Sequence, residues 1–338
     1  MANRRTTLTG RRIAATVAVT GGVGLGLLAV PTGAGAQPQL PPVAAEELVS
    51  SVLAAKKEPF AGTVQVDNAL GLPMLPDAPQ AANGTSTARV WSNGDAGGRV
   101  QLPSDGGERT LVSDGTTFWA WNSEDRTVVT GPRQGRPADT PGATSDPTTA
   151  ANETLTRLRS SSDVSVDGTA EVAGRPAYEL VLSPKPTERT LVREVRIAVD
   201  AEKRSPLRMT VLGNGSTDPA LQIGFTELTF GPQDQKLFTF TPPPGATVQP
   251  RPPGRPAGAA DPDRTVVGEG WDTVVIRKQP NERPPGAPDL STLGTPVSGP
   301  WGSGRLISAA IGTAIVTADG RIAAGAVPEQ VLNEALGK

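Results

Sequence analysis

Apolar residues recur at every second position through much of the chain, which is the pattern of strands with one buried face. The runs are Val64 and Val66; Trp119 and Trp121; Tyr178, Leu180 and Leu182; Val195, Ile197 and Val199; Met209 and Val211; and Leu221, Ile223 and Phe225. Intervening positions are polar, as at Glu179, Arg196 and Gln222, so the sheet is expected to have one apolar face and one wet face. Turn dipeptides at Asn93-Gly94, Asp114-Gly115, Asp167-Gly168 and Asn214-Gly215 separate the runs and predict an antiparallel meander.

Other segments depart from this period. Ala45, Leu48, Val49, Val52 and Leu53 follow helical spacing and predict an amphipathic helix over residues 43–57, stopped by Pro59. Residues 131–147, rich in Pro, Gly, Thr and Asp, predict a loop that leads into a short covering helix with the narrow stripe Ala151, Leu155 and Leu158, the expected lid. Residues 241–263 hold eight Pro in 23 positions, an extended stretch that cannot enter a sheet interior. Beyond it, 271–276 reads as a strand, 305–317 as a strand pair or one long strand, Asp319-Gly320 as a hairpin turn, and Pro328 as the start of a final helix bearing Val331, Leu332 and Ala335. The resulting division is a leader (1–36), a main sheet domain (37–248), a Pro-rich linker (249–264) and a small strand-and-helix extension (265–338). A unit of about 75 residues buries a small share of its surface alone, so the extension is expected to dock on an edge or end of the main sheet.

The leader carries Arg4, Arg5, Arg11 and Arg12, then an uncharged apolar stretch over 13–30, then Ala34-Gly35-Ala36 before Gln37. That order predicts an export signal cleaved after Ala36 and an extracytoplasmic protein. The competing reading is a retained membrane anchor, since 18 uncharged residues approach a membrane-spanning length. Arg11-Arg12 leaves the general and twin-arginine export routes both open. No Cys follows the apolar stretch, so the chain is not itself expected to be acylated.

Composition narrows the chemistry. The 338 residues include no His and no Cys, which removes Ser-His-Asp and Cys-His triads, imidazole or thiolate zinc sites, and disulfides. The 32 basic and 34 acidic side chains give a net charge of −2, without the basic excess that nucleic acid attracts. Gly22-Val23-Gly24-Leu25-Gly26 lies in the leader with no strand before it, so it does not read as a nucleotide loop. No Ser lies three residues before a Lys. Asp261 and Asp263 lack the spacing of a calcium loop, while Glu124 with Asp125 and Asp200 with Glu202 read as turn charges. No catalytic residue, metal or cofactor is expected.

The aromatic strand at Phe118, Trp119 and Trp121 has two readings: a packed core, or the lining of an incompletely filled apolar surface. A long apolar sheet face with only short helices to cover it favours the second. The candidate lining is Trp91, Trp119, Trp121, Tyr178, Leu180, Leu182, Ile197, Val199, Met209, Val211, Ile223 and Phe225, beneath the lid of Ala151, Leu155 and Leu158.

The run Leu111-Val112-Ser113-Asp114-Gly115-Thr116-Thr117-Phe118-Trp119-Ala120-Trp121-Asn122 resembles the strand–turn–strand signature of periplasmic lipoprotein carriers of the LolA type. Phe60-Ala61-Gly62-Thr63-Val64, Tyr178-Glu179-Leu180-Val181-Leu182-Ser183-Pro184-Lys185 and Phe238-Thr239-Phe240-Thr241-Pro242-Pro243-Pro244-Gly245-Ala246-Thr247-Val248 are similar to that family in the same order, over residues 40–248. The resemblance implies a mainly β (α+β) fold: a strongly curved antiparallel half-barrel with short covering helices, whose apolar interior takes acyl chains. It implies an exported, non-enzymatic carrier or chaperone with a lipid or acylated lipoprotein as partner. Related proteins on the fold include RseB/MucB-type regulators, which makes a membrane-bound anti-sigma factor the alternative partner. Carriers of this type have an Arg-Pro pair that helps latch the lid; here the corresponding stretch is Ser92-Asn93-Gly94, with Arg89 and Arg99 only nearby, and the latch is not carried over. Residues 265–338 have no counterpart in the minimal carrier.

Overall fold

The computed structural model describes residues 38–72, 83–104, 106–133, 158–251, 263–278 and 293–338. The leader, Ala151 and Leu155 lie outside these residues. Among the described residues no helix is long and apolar enough to cross a membrane.

The protein is mainly β, as the alternation predicts. A first meander runs β1 (Phe60–Asn68), β2 (Gly84–Ser92), β3 (Gly97–Ser104), β4 (Gly107–Asp114), β5 (Thr117–Asn122) and β6 (Thr127–Pro132). A second runs β7 (Ser162–Val172), β8 (Arg175–Pro184), β9 (Val192–Asp200), β10 (Pro206–Gly213) and β11 (Pro219–Phe230). Pairing of β1 with β11 joins the two meanders into one twelve-stranded curved sheet that does not close into a barrel. The twelfth strand, β12 (Thr247–Pro250), comes from the Pro-rich stretch and pairs parallel with β6, so one joint departs from the expected antiparallel order. Pro250 ends this edge strand, a place where its missing N–H costs no ladder bond.

Helix α1 (Ala45–Ala54) buries Ala45, Leu48 and Val49 against Tyr178, Leu180, Leu182 and Val199. Glu46 and Glu47 sit in its first turn, where the helix dipole favours negative charge, and Glu46 also pairs with Arg159. Leu48 is fully buried, and burying such a side chain contributes about 1.5–3 kcal/mol. On the opposite face of the same strands, Arg196 pairs with Glu194 at 2.8 Å and Glu179 at 3.2 Å, and Arg208 reaches Glu179 at 2.8 Å. Hydrogen bonds from Arg196 to Glu194, then to Glu179, raise its pKa above the ordinary arginine value. This face carries the charged network, with Val181 and Ala198 buried among it.

The C-terminal residues build a sheet of their own, in the order β13 (Arg264–Val267), β14 (Val274–Lys278), β18 (Arg321–Gly325), β17 (Gly312–Thr317), β16 (Gly302–Ala309) and β15 (Thr295–Gly299). The 305–317 region is a strand pair, β16 and β17. Helix α2 (Glu329–Leu336) packs Val331, Leu332, Ala335 and Leu336 onto Val274, Ile315 and Ala323. The extension's strands join no edge of the large sheet. They meet the loops at one end of it: Leu191 N donates to Ala326 O at 2.9 Å, Ala310 N to Leu70 O at 2.8 Å, and Trp271 Nε1 to Ser162 Oγ at 2.8 Å. Gly213 permits this approach, because a Cβ there would stand 3.0 Å from the Ala310 carbonyl oxygen.

Candidate functional site

Strand register decides which side chains share a face, since directly paired residues project to the same side. One row crosses the second meander into the first as Leu180, Ile197, Met209, Ile223 and Val66. The next position on β1, Val64, pairs with Phe225. From Gly62 the row continues through Val90, Val100, Leu111, Ala120 and Val129. Phe60 leads along its own row to Ser113 and Phe118. All of these lie on the face that α1 covers.

That cover is partial. A depression of about 280 Å³ lies over β9–β11, lined by Val64, Ile197, Leu207, Met209, Ile223 and Phe225. A second, of about 430 Å³, lies over β1–β5 and is lined by Phe60, Val64, Val90, Val100, Leu111 and Phe118, with Phe225 again. Val64 and Phe225 border both, so the two form one trough along the sheet, within the size range of small-molecule sites. The Phe225 ring meets Phe60 edge-on at 5.6 Å between centroids. It lies over Gly62, where a Cβ would come within 2.9 Å of the ring, so glycine is required for this packing. Arg208 borders the trough by sequence, but its side chain crosses Gly224 on the other face to reach Glu179.

The predicted lining residues therefore divide into three groups. Ile197, Met209, Ile223 and Phe225 meet in the trough. Tyr178, Leu180, Leu182 and Val199 share the trough's face but are sealed beneath α1, where Leu158 also packs; Val211 is buried on the same face. The Tyr178 hydroxyl donates to Pro41 O at 3.0 Å, which ties the chain before α1 to the sheet.

Trp91 lines the larger depression, and Trp119 and Trp121 line neither. Trp91 registers with Arg99, Val112 and Trp119 on the opposite face, and Trp121 registers there with Thr110 and Val128. That side is closed by the short helical turn Gln235–Phe238, which contacts β3 and β4, and by Phe240, whose ring is 6.5 Å from Trp121. Trp121, Val112, Val128 and Phe238 are buried, so this is a second packed patch; Trp91 and Val112 also border the larger depression, whereas Trp119 and Trp121 line neither one. The physical reason is the sign ambiguity of a two-residue period: alternation separates Phe118 and Ala120 from Trp119 and Trp121 without saying which pair faces inward. Phe60, Val90, Val100, Leu111 and Phe118 also line the larger depression, and Phe118, next to Trp119 on β5, was the available signal.

No family model and no curated protein matches the chain. Solved structures do. The MucA/MucB complex of Pseudomonas aeruginosa matches at 18% identity and a TM-score of 0.47, covering 87% of this chain and 96% of that one. A LolA superfamily protein from Nitrosomonas europaea matches at 12% identity and a TM-score of 0.25, covering 59% of this chain and 99% of that one. Lipoprotein LppX of Mycobacterium tuberculosis matches at 11% identity and a TM-score of 0.30, covering 55% and 93%.

Proposed function

We propose that this protein is an exported, non-enzymatic carrier or chaperone that holds the acyl chain of a lipid or an acylated lipoprotein in the trough. The observation that carries the proposal is the trough itself: a continuous apolar surface on the curved sheet that α1 leaves uncovered. Each methylene transferred into it from water contributes about 0.8 kcal/mol, and the cost of ordering the chain and its cover keeps binding reversible. The leader's basic residues, apolar stretch and small-residue site support an extracytoplasmic place of action. Mass spectrometry of an organic extract of the purified protein tests the proposal: a stoichiometric acyl lipid supports it, and a protein that arrives empty and takes up no added lipid overturns it.

A second reading, a regulator that binds a membrane-bound anti-sigma factor, is favoured by the C-terminal sheet. Among the described residues that sheet lines neither depression, and its two outer strands, β13 and β15, each pair on one side only, the kind of edge an extended peptide joins. A stable protein complex recovered without lipid distinguishes this reading from the first.

A further inference from the structure

We infer, building on the trough reading, that its occupant is an acyl lipid with an anionic headgroup, phosphate or carboxylate, seated on Arg133 and Arg251. Arg133 lines the larger depression just beyond the end of β6, as does Arg99, which registers with Trp91 on the other face, and among the described residues no carboxylate lines that depression. Arg251, immediately after β12, sets its guanidinium carbon 5.3 Å above the ring of Phe118, a trough residue. Its backbone N donates to Thr130 O at 2.7 Å, which fixes it beside Gly131. A Cβ on Gly131 would stand 2.9 Å from the Arg251 Cβ, so the glycine makes the place for the arginine.

Arg175, Arg196 and Arg208 are each paired with carboxylates, whereas among the described residues neither Arg133 nor Arg251 has an ion-pair partner. Asp114 stands in the adjacent turn, and its Oδ1 is occupied by the backbone N–H groups of Thr116 and Thr117 at 2.8 and 2.7 Å. Among the described residues, the same end of the larger depression thus offers the guanidinium groups of Arg133 and Arg251, neither ion-paired, beside an apolar floor. This is the arrangement that an amphiphile with one negative head satisfies.

The test is calorimetric titration of the delipidated full chain with dioctanoyl phosphatidylglycerol, laurate and dioctanoyl phosphatidylcholine. The anionic lipid whose headgroup is recognised binds about tenfold more tightly than phosphatidylcholine, a preference that shrinks as salt is raised. Comparing the two anions tells phosphate from carboxylate. The Arg133→Gln/Arg251→Gln variant loses the preference while keeping its affinity for phosphatidylcholine, and Arg133→Lys/Arg251→Lys retains it. Equal affinity for all three lipids, or a preference that survives the Gln variant, overturns the headgroup assignment and leaves the trough standing. Binding of none of them overturns the trough reading itself.

Discussion

The β7–β8 hairpin turns on two residues with positive φ, Ala173 at 51° and Gly174 at 71°. A two-residue turn of this hand suits Asn and Gly, and an alanine held there costs about 1 kcal/mol. Ala173→Asn is therefore predicted to raise the melting temperature by about 2 °C, measured by thermal denaturation. At the β9–β10 hairpin, Asp200 is fully buried and accepts hydrogen bonds from Arg175 and from the backbone N–H groups of Glu202 and Lys203. Burial pushes its pKa up, but Arg175 and the two N–H groups outweigh this and hold it below the ordinary aspartate value. A lowered folded pKa means that the stabilisation is complete above the unfolded value, near pH 4, and is lost as pH falls through the folded one. Asp200→Asn is predicted to cost about 2–4 kcal/mol at pH 7 in urea melts, and to lose less further stability on acidification than the parent.

At the scale of elements, α1 and the strands β1, β5, β8, β9, β10 and β11 were legible because each carries a clean period. What the period omits is the partner. Ala45, Leu48 and Val49 marked the buried stripe of α1, but only the long-range seat on β7–β9 shows that the helix seals Tyr178, Leu180 and Leu182 and leaves Ile197, Met209 and Ile223 open. Likewise, the sparse helical cover argued for Trp119 and Trp121 as lining, and the distant segment with Phe238 and Phe240 packs against Trp121 on the other face. Leu48→Ala is predicted to destabilise by about 2–5 kcal/mol in equilibrium unfolding, since the rigid strand seat collapses little around the vacated space. Trp121→Leu is predicted to lower stability yet leave acyl uptake intact, as read by binding of a fluorescent fatty acid.

At the scale of the molecule, the large sheet divides its labour between two faces. Ion-paired Arg196 and Arg208 occupy one side of β8–β11, while the other presents the trough. The extension's strands and final helix were readable locally, but their gathering into a separate six-stranded sheet depends on pairings such as β14 with β18 that no local pattern encodes. Its contacts at Leu191, Leu70 and Ser162 lie at one end of the large sheet, with Arg189 bridging Asp272 at 3.0 Å and Glu334 at 2.7 Å. A chain ending at Pro262 is predicted to melt at a lower temperature than the full chain, because it strips the partners from these loops; an unchanged melting temperature would mean that the extension is an independent module.

The central claim is that an acyl chain binds on the face of Leu111 and Phe118 rather than on the face of Trp119. Uptake of a fluorescent fatty acid by the delipidated Leu111→Glu and Trp119→Glu variants, each confirmed folded by its melting curve, tests this most directly. Both residues lie in paired strands at the middle of the first meander, on opposite faces. A charge at Leu111 stands in the apolar trough and is predicted to abolish uptake, whereas a charge at Trp119 leaves it unchanged. Uptake lost in Trp119→Glu and retained in Leu111→Glu would contradict the account.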